Sequence, residues 1–283
     1  MKRYVILNAD DFGICHSQNL AIMELFRCGG ISSSTIMTHC PGAEEAAAFA
    51  RENPQFAVGV HLTTTDRWPP LTEKAVFYPD VPDFERQAVA EDILEELRAQ
   101  IEKLMGLGVK PSHLDNHMGS LYGITTGRFD LLRGVIGLAG EYGLPFRFPA
   151  RFSEAQYRNQ TLGVALDRET VRQLLEEMSA YAASLGVATP DYLLPGDWNG
   201  PQRESFANYR DYIFALYRSF EPGAVTETYI HPSLEGEDIK GITANWQRRV
   251  WEYELFKDPS THRYFNEIGI FLIDYKRLAA GSK

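Results

Sequence analysis

Two acidic residues stand side by side near the start of the sequence. Asp10 and Asp11 follow a short apolar run and precede a phenylalanine and a glycine. Adjacent carboxylates repel each other unless a cation or a basic group neutralises one of them. A metal ion held by one carboxylate, with the other left as a base, would explain the pair. A helix start would explain it equally well, because aspartate favours helix N-termini and a helical pattern begins near Ser17.

A second cluster carries two histidines and one aspartate within five residues. His113, Asp115 and His117 alternate with a leucine and an asparagine. This spacing can place one imidazole on a metal ion while the carboxylate or the second imidazole orients it from behind. Imidazole and carboxylate ligands with open coordination positions are typical of a divalent-metal site for hydrolysis rather than of a closed structural site. Surface loops produce such strings by chance, so the cluster needs partners elsewhere in the chain.

Further polar residues fall where predicted strands end. His61 and His231 each close an apolar run, and Arg147 lies within another. A single histidine at such a place is more often structural than functional. In a parallel α/β barrel, however, the reacting groups lie where strands pass into the loops that follow them. Histidines and carboxylates that share this kind of position therefore indicate one site.

The elements that must position these residues follow from hydrophobic periodicity. Short, nearly continuous apolar runs alternate with longer helical patterns, as expected for a parallel sheet covered on both faces. The predicted strands are 3–9, 33–37, 56–61, 113–115, 145–148, 191–194, 225–231 and 268–274. The predicted helices are 17–27, 43–52, 89–105, 128–142, 167–185, 206–217 and 245–256. This order predicts an α/β fold: a single irregular (β/α) barrel, TIM-like, forming one domain over 1–283.

A long loop is predicted after the third strand, over 62–87. It contains four prolines and several aromatic residues, among them Trp68. A loop of this length inside a compact domain is uncommon and often functional. A substrate lid and a surface insertion packed by its own aromatics explain the segment equally well.

Charge and composition exclude several classes of protein. The chain has 28 basic and 38 acidic residues, a net charge of −10 and 44% hydrophobic residues. The acidic balance argues against nucleic-acid and anionic-membrane partners, and the apolar fraction is too high for intrinsic disorder. Three cysteines without a Cys-x-x-Cys spacing indicate neither a disulfide framework nor a thiolate zinc site. Without a signal-peptide core or a membrane span, we expect a cytoplasmic protein, and base rates favour a homodimer.

Four motifs together carry a resemblance to a known family. They are Asn-Ala-Asp-Asp-Phe-Gly at 8–13, Gly-Val-His-Leu-Thr at 59–63, Ser-His-Leu-Asp-Asn-His at 112–117 and Ile-His-Pro at 230–232. In this order and spacing the chain resembles the YdjC/ChbG family of carbohydrate deacetylases, itself similar to the NodB-type polysaccharide deacetylases. The resemblance implies an irregular (β/α) barrel. It also implies a metal-dependent hydrolase that removes acetyl groups from N-acetylated sugars such as chitooligosaccharides.

The resemblance further implies a metal site. By position in the motifs, Asp11, His61 and His117 would bind one divalent metal ion. A ligand set of nitrogen and oxygen admits Zn, Mg, Mn, Co or Ni, and we expect Mg or Zn first.

The catalytic roles follow from the same resemblance. Asp10 would be the general base and His231 the general acid, while Arg147 matches an Arg-x-Pro motif whose arginine holds the catalytic aspartate. A small carbohydrate is the expected partner. Four further residues are assigned to substrate binding, namely Asp115, His113, Trp68 and Trp198. For Trp198, which could stack on a pyranose ring, a structural role in its glycine-rich turn explains the residue equally well.

Two other functions fit parts of the pattern. Asp/His sites on barrels also cleave phosphate esters, which makes a metal-dependent phosphoesterase acting on a small sugar phosphate the first alternative. Two-metal versions of such enzymes usually need more carboxylate ligands than this chain carries at its strand ends. The second alternative is a non-catalytic sugar-binding protein of the same fold, against which the complete set of acid, base and ligand residues argues.

Overall fold

Parallel strands form the centre of the computed structural model, which describes residues 2–159 and 167–281. The strands are β1 (Arg3–Phe12), β2 (Ser33–Ile36), β3 (Ala57–Leu62), β4 (Leu114–Asn116), β5 (Tyr192–Leu193), β6 (Val225–Ile230) and β7 (Ile270–Leu272). They pair in the order β4-β3-β2-β1-β6-β5, and β7 pairs with β1. β1 is therefore the central strand, and its carboxyl end carries the two adjacent aspartates.

The sheet closes through an extended stretch that contains Arg147. Phe146 pairs with Leu114 of β4 as an isolated parallel bridge. On its other side the Phe146 amide donates to the carbonyl of Ala188 at 3.0 Å, and Arg151 donates to Asp191 at 3.1 Å. These bonds join the β4 edge of the sheet to the β5 edge. The expected irregular (β/α) barrel is confirmed, with a single bridge where a strand was predicted at 145–148.

Helices cover the outside of the sheet. The long ones are α1 (His16–Cys28), α2 (Ala43–Glu52), α4 (Ala90–Gly106), α5 (Phe129–Tyr142), α7 (Arg168–Ser184), α8 (Phe206–Arg218) and α10 (Trp246–Lys257). Each agrees with a predicted helix to within one residue at either end. In α4, for example, Ile93, Leu97, Ile101 and Leu104 recur at three- and four-residue spacing, and all four are buried. A stripe at three- and four-residue spacing lies on one face of a helix and packs against the sheet.

Several shorter elements were not predicted. They are α3 (Val81–Gln87), α6 (Glu154–Asn159), α9 (Glu237–Ile242), α11 (Pro259–Glu267), α12 (Tyr275–Ala279) and the 3₁₀ segments His117–Tyr122 and Pro201–Arg203. The prediction of an unbroken loop over 62–87 is therefore wrong in its last part, where α3 lies. The Asp80 side chain accepts a hydrogen bond from the Asp83 amide and caps this helix, with a proline in its first turn. A helix of seven residues, about two turns, is too short to show a clear periodicity.

Residues 2–159 and 167–281 contain no helix that could span a membrane. No helix there combines the length and the apolar character needed to cross a bilayer.

Candidate metal centre and active site

The carboxyl end of β1 is irregular where the two aspartates lie. Its register against β2 shifts between Ala9 and Phe12, and Asp11 adopts a left-handed backbone conformation with φ of 61°. Successive side chains of a regular strand point to opposite faces. Because the strand is irregular here, the two carboxylates need not point to opposite faces of the sheet. A non-glycine residue with positive φ is strained, and such strain persists where the surrounding structure holds it, often at functional sites.

Three side chains, from β1, from β3 and from the residue directly after β4, converge on one point. Oδ1 of Asp11 lies 3.3 Å from Nε2 of His61 and 3.3 Å from Nδ1 of His117. The two imidazole nitrogens are 3.2 Å apart. These three residues, separated widely in the sequence, are one of the ligand-type groups in the described part of the chain. The structure thus brings the three expected metal ligands together.

The donor atoms of this triad suit a divalent cation. Both carboxylate oxygens of Asp11 are buried and lack a well-directed hydrogen bond. Ligands of a tetrahedral zinc ion, at about 2.0–2.1 Å from the metal, lie roughly 3.3 Å from one another. The three separations within the triad are close to that value. Oδ1 of Asp11, buried without a hydrogen-bond partner and facing two imidazole nitrogens at this spacing, fits a bound cation.

The guanidinium of Arg249 also contacts Asp11. Nη2 of Arg249, on α10, lies 2.9 Å from Oδ2 of Asp11, and its Nη1 donates to Oε1 of Gln18 at 2.5 Å. Burial raises the pKa of Asp11, but the charges of His231 and Arg249 oppose it and hold that pKa well below its usual range. Asp11 is therefore ionised and available as a ligand. None of the sequence motifs indicated this contact of Arg249, which depends on the packing of α10 against the end of β1.

Asp115 lies behind His61 rather than in a substrate pocket. Its Oδ1 is 2.7 Å from Nδ1 of His61, and its Oδ2 accepts a hydrogen bond from Thr35 at 2.8 Å. The side chain is completely buried. A carboxylate on the far nitrogen fixes the ring orientation and tautomer of a metal-binding imidazole. The assignment of Asp115 to substrate binding does not agree with this position.

The same neighbours control the protonation of His61. Burial lowers its pKa, but the Asp115 charge and the hydrogen bonds to Asp11 and Asp115 outweigh burial and raise the pKa to about 10. At neutral pH this shift favours the protonated ring. A metal ion must displace that proton, so binding is coupled to proton release.

Arg147 and Asp10 form a bidentate pair beside the triad. Nη1 and Nη2 of Arg147 donate to Oδ2 and Oδ1 of Asp10, each at 2.7 Å. Asn8 donates to Oδ1 of Asp10 at 2.8 Å. Two parallel bonds from a guanidinium fix a carboxylate in position and in plane. The Arg-x-Pro arginine thus holds the aspartate that the resemblance named as the base.

Arg147 is itself held from behind by two more carboxylates. Its Nε donates to Glu227 at 2.7 Å, and Nη2 lies 2.9 Å from Asp115. Glu227 is fully buried and also accepts a hydrogen bond from the Tyr275 hydroxyl. Burial raises the pKa of Glu227 to about 7, although Arg147 opposes the shift. Sequence reasoning missed Glu227, although an acidic residue inside a predicted buried strand is a signal that could have identified it, because buried carboxylates are rare unless they are paired.

His231 directly follows β6, the neighbour of β1 in the sheet, and lines the same cavity as His61 and His117. Its backbone amide donates to Oε2 of Glu252 at 2.7 Å, and its ring meets Tyr229 edge-on at 5.7 Å. Burial lowers the pKa of His231, while the Asp11 carboxylate acts in the opposite direction.

A cavity of about 520 Å³ opens above these residues. Its lining includes the polar group described above, namely Asp10, His61, His117, Arg147 and His231. The cavity is also lined by Tyr122, Tyr229, Asp197 and Arg248. The guanidinium of Arg248 bonds Glu252 at 2.8 Å and the carbonyl of Gly196 at 3.1 Å. A cavity of this volume accommodates a small organic molecule.

Three residues assigned to substrate binding do not line this cavity. His113 is fully buried, its ring stacked on Tyr275 at 3.8 Å. Trp68 packs against the apolar cluster around Ile14 and Met37, and Trp198 packs edge-on against Trp251. Asp197, the neighbour of Trp198, reaches the cavity instead.

Comparison with known proteins adds the family. A family model described as YdjC-like protein matches residues 4–267. A carbohydrate deacetylase of Geobacillus stearothermophilus is 29% identical, with 98% of each chain covered. A carbohydrate deacetylase of Brevibacillus brevis is 31% identical, with 67% of this chain and 82% of that protein covered. A crystal structure from Enterococcus faecalis V583, provisionally named a cellobiose-phosphate cleavage protein, shares the fold with a TM-score of 0.75 at 24% identity, covering 98% and 99% of the two chains.

Proposed function

The chain belongs to the YdjC-like family, and from that membership we propose that it is a metal-dependent carbohydrate deacetylase. It hydrolyses the N-acetyl group of a mono- or oligosaccharide. Relatives along the whole length of the chain are named carbohydrate deacetylases. The observation that carries the proposal is the convergence of Asp11, His61 and His117 within 3.3 Å of one another, with Asp10 beside them.

We propose a zinc-type ion as the metal. Two imidazoles and one carboxylate, with open positions for water and substrate, form a typical catalytic zinc ligand set. Magnesium prefers oxygen ligands and octahedral geometry, which two imidazoles do not supply. When bound, the cation would polarise the acetamide carbonyl and acidify a water molecule.

Asp10 supplies the base. Oδ1 accepts hydrogen bonds from Arg147 and Asn8. Oδ2 accepts one from Arg147, which leaves Oδ2 a second lone pair with which to accept a proton. Asp10 takes the proton from the attacking water as the new C–O bond forms. Arg147 keeps the carboxylate oriented during this step.

His231 supplies the acid. It lines the same cavity as Asp10, and its imidazolium donates a proton to the nitrogen of the departing amine. The acetamide C–N bond then breaks, and the products are acetate and the free amino sugar. Tyr122, Tyr229 and Asp197 of the wall contact the sugar through their rings and polar groups.

The charge of the cavity favours a neutral substrate over a phosphorylated one. Within the described lining, the two guanidinium groups are those of Arg147 and Arg248. Arg147 is neutralised by Asp10, Asp115 and Glu227, and Arg248 by Glu252. Phosphate recognition usually relies on an arginine or lysine free to bind it. This argues against the alternative of a phosphoesterase acting on sugar phosphates.

The test is acetate release from N-acetylglucosamine and its oligomers by protein loaded with zinc, cobalt, manganese or magnesium. We expect acetate to appear with zinc or cobalt and to disappear with Asp10→Asn. Phosphate release from a generic phosphate ester, without acetate from any glycan, would overturn the proposal in favour of a phosphoesterase. Glycan binding without turnover under every metal would identify a sugar-binding protein.

The three free cysteines suit a reducing compartment, and we propose a cytoplasmic location.

A further inference from the structure

A second cluster of ligand-type side chains lies beside the catalytic site. His39 and Cys40 follow β2, and Asp66 lies in the segment after β3. One ligand atom from each of the three lies within 4.8 Å of the other two. The proposed deacetylation uses none of these residues. The cysteine spacing gave no sign of the cluster, because the three ligands come from two distant segments.

The separations within the cluster match those around a zinc ion. Sγ of Cys40 lies 3.5 Å from Nε2 of His39 and 3.6 Å from Oδ2 of Asp66. Zinc binds sulfur at about 2.3 Å and nitrogen or oxygen at about 2.0 Å, so its tetrahedral ligands lie roughly 3.3–3.6 Å apart. The third separation, 2.7 Å between His39 and Asp66, is shorter because a hydrogen bond joins them. Release of that bond would open the cluster to the size of a zinc site.

The contacts exclude a cysteine-histidine-aspartate nucleophile. In such a relay the thiol and the carboxylate contact opposite nitrogens of the imidazole. Here both approach Nε2, and Nδ1 of His39 is buried without a partner. Burial and the Asp66 charge also raise the pKa of the Cys40 thiol, which opposes activation as a free nucleophile. Three ligand atoms directed at one point are what a metal site requires.

Burial makes a cation favourable at this point. The side chains of His39 and Asp66 are 0% and 8% exposed, and Cys40 is buried too. Hydrogen bonding to His39 helps to hold the pKa of Asp66 below its usual value, against the effect of burial. A buried carboxylate is costly unless it is paired. A dication with this carboxylate and the Cys40 thiolate would leave no net charge, the thiol proton passing to solvent.

We propose that His39, Cys40 and Asp66 form a second divalent-metal site, of the zinc class, which pins the segment after β3 to the end of β2. The next residues extend that anchoring. Arg67 donates to the carbonyls of Gly241 and Ile242 at 3.1 and 2.5 Å. Trp68 packs on the apolar cluster that contains Cys40 and Ile239. The metal would thus fasten β2, the long segment and α9 to one another, a structural role separate from deacetylation.

Cobalt titration of chelator-treated protein tests the proposal, because a thiolate ligand gives a sulfur-to-cobalt charge-transfer band in the near ultraviolet. We expect this band in the wild type and its loss in Cys40→Ser. Cys15→Ser is the matched control, since Cys15 is buried in the same apolar cluster. The control should keep the band, and so should His61→Ala, which alters only the catalytic triad. Absence of the band in the wild type, or its persistence in Cys40→Ser, would overturn the proposal.

Metal stoichiometry separates this site from the catalytic one. We expect two zinc ions per wild-type chain and one each for Cys40→Ser and His61→Ala. Asp66→Asn provides a second variant that preserves shape and can still bond His39. Zinc should protect the segment after β3 from limited proteolysis in the wild type and much less in Asp66→Asn. Equal protection in both proteins, or one zinc ion in both wild type and Cys40→Ser, would contradict a second site whatever the deacetylase assay shows.

Discussion

Arg147 donates two parallel hydrogen bonds of 2.7 Å to Asp10, one to each carboxylate oxygen. Both side chains are almost fully buried, and the guanidinium is surrounded by the carboxylates of Asp10, Asp115 and Glu227. Arg147 therefore links the proposed base to Asp115, which orients the ligand His61. The Arg147 guanidinium therefore fixes the position of the proposed base relative to the proposed metal ligand.

This pairing predicts the behaviour of Asp10→Asn. The variant keeps the shape of the side chain but removes the base, so acetate release should fall by ~10²-fold or more. Metal affinity in calorimetric titration should change little, because Asp10 is not one of the three converging donors. Near-normal turnover in a folded, metal-loaded variant would exclude Asp10 as the base.

The metal triad predicts a graded response at His61 and behind it. His61→Ala removes a ligand and should abolish zinc binding at the catalytic site and activity together. Asp115→Asn keeps the ligand but weakens its orientation, so zinc affinity should drop roughly 10- to 100-fold. Titration of both variants in parallel measures the difference. An unchanged catalytic-site affinity in His61→Ala would remove that residue from the centre.

The proposed acid predicts a dependence on the leaving group. His231→Ala should slow hydrolysis of acetamides far more than that of activated acetate esters, whose leaving groups need no proton. Because burial lowers the pKa of His231, the imidazolium is lost as the pH rises through that pKa. Acetamide hydrolysis by the wild type should therefore decline on the alkaline side, and the variant should lack this limb. Equal losses on amide and ester substrates would argue against an acid role.

His113 predicts an effect on stability rather than on catalysis. Burial lowers its pKa from the ordinary value of 6.5 to about 3. Between these pH values the unfolded chain binds a proton that the folded chain does not, so stability falls as the pH falls. The slope is ~1.4 kcal/mol per pH unit for one group. Urea unfolding should show His113→Gln losing about 2 kcal/mol less than the wild type between pH 7 and pH 5. Parallel pH profiles would refute the buried neutral imidazole.

The two arginines that line the cavity, Arg147 and Arg248, are both paired with carboxylates. This pairing predicts that the enzyme selects substrates by their charge. Acetate release from neutral N-acetylglucosamine should be more efficient, as kcat/KM, than release from its 6-phosphate. Arg248→Gln serves as a control, because Arg248 is already bound to Glu252 and its loss should not change this preference. A clear preference for the phosphorylated sugar, abolished in Arg248→Gln, would reverse the conclusion about charge.

Much of the scaffold was predictable from local pattern. The stripe along α4 and the bounds of α2 follow from three- and four-residue spacing, which depends on residues within a few turns of each other. Asp10 and Asp11 follow the first predicted strand, His61 and His231 close apolar runs, and His117 lies just past the fourth predicted strand. This placement predicted that they would meet, because the carboxyl ends of parallel strands lie on one side of a barrel. Short capped helices such as α3 were not predicted, since about two turns are too few to show a clear period.

The amino-acid sequence by itself determined the alternation of strands and helices and the kinds of side chain at the strand ends. Only the tertiary structure decided what each of those side chains touches. The left-handed conformation of Asp11, the place of Asp115 behind His61 and the contact from Arg249 depend on segments far apart in the chain. Such contacts are set by barrel closure and by the burial of charge. Neither leaves a periodic trace in the residues concerned.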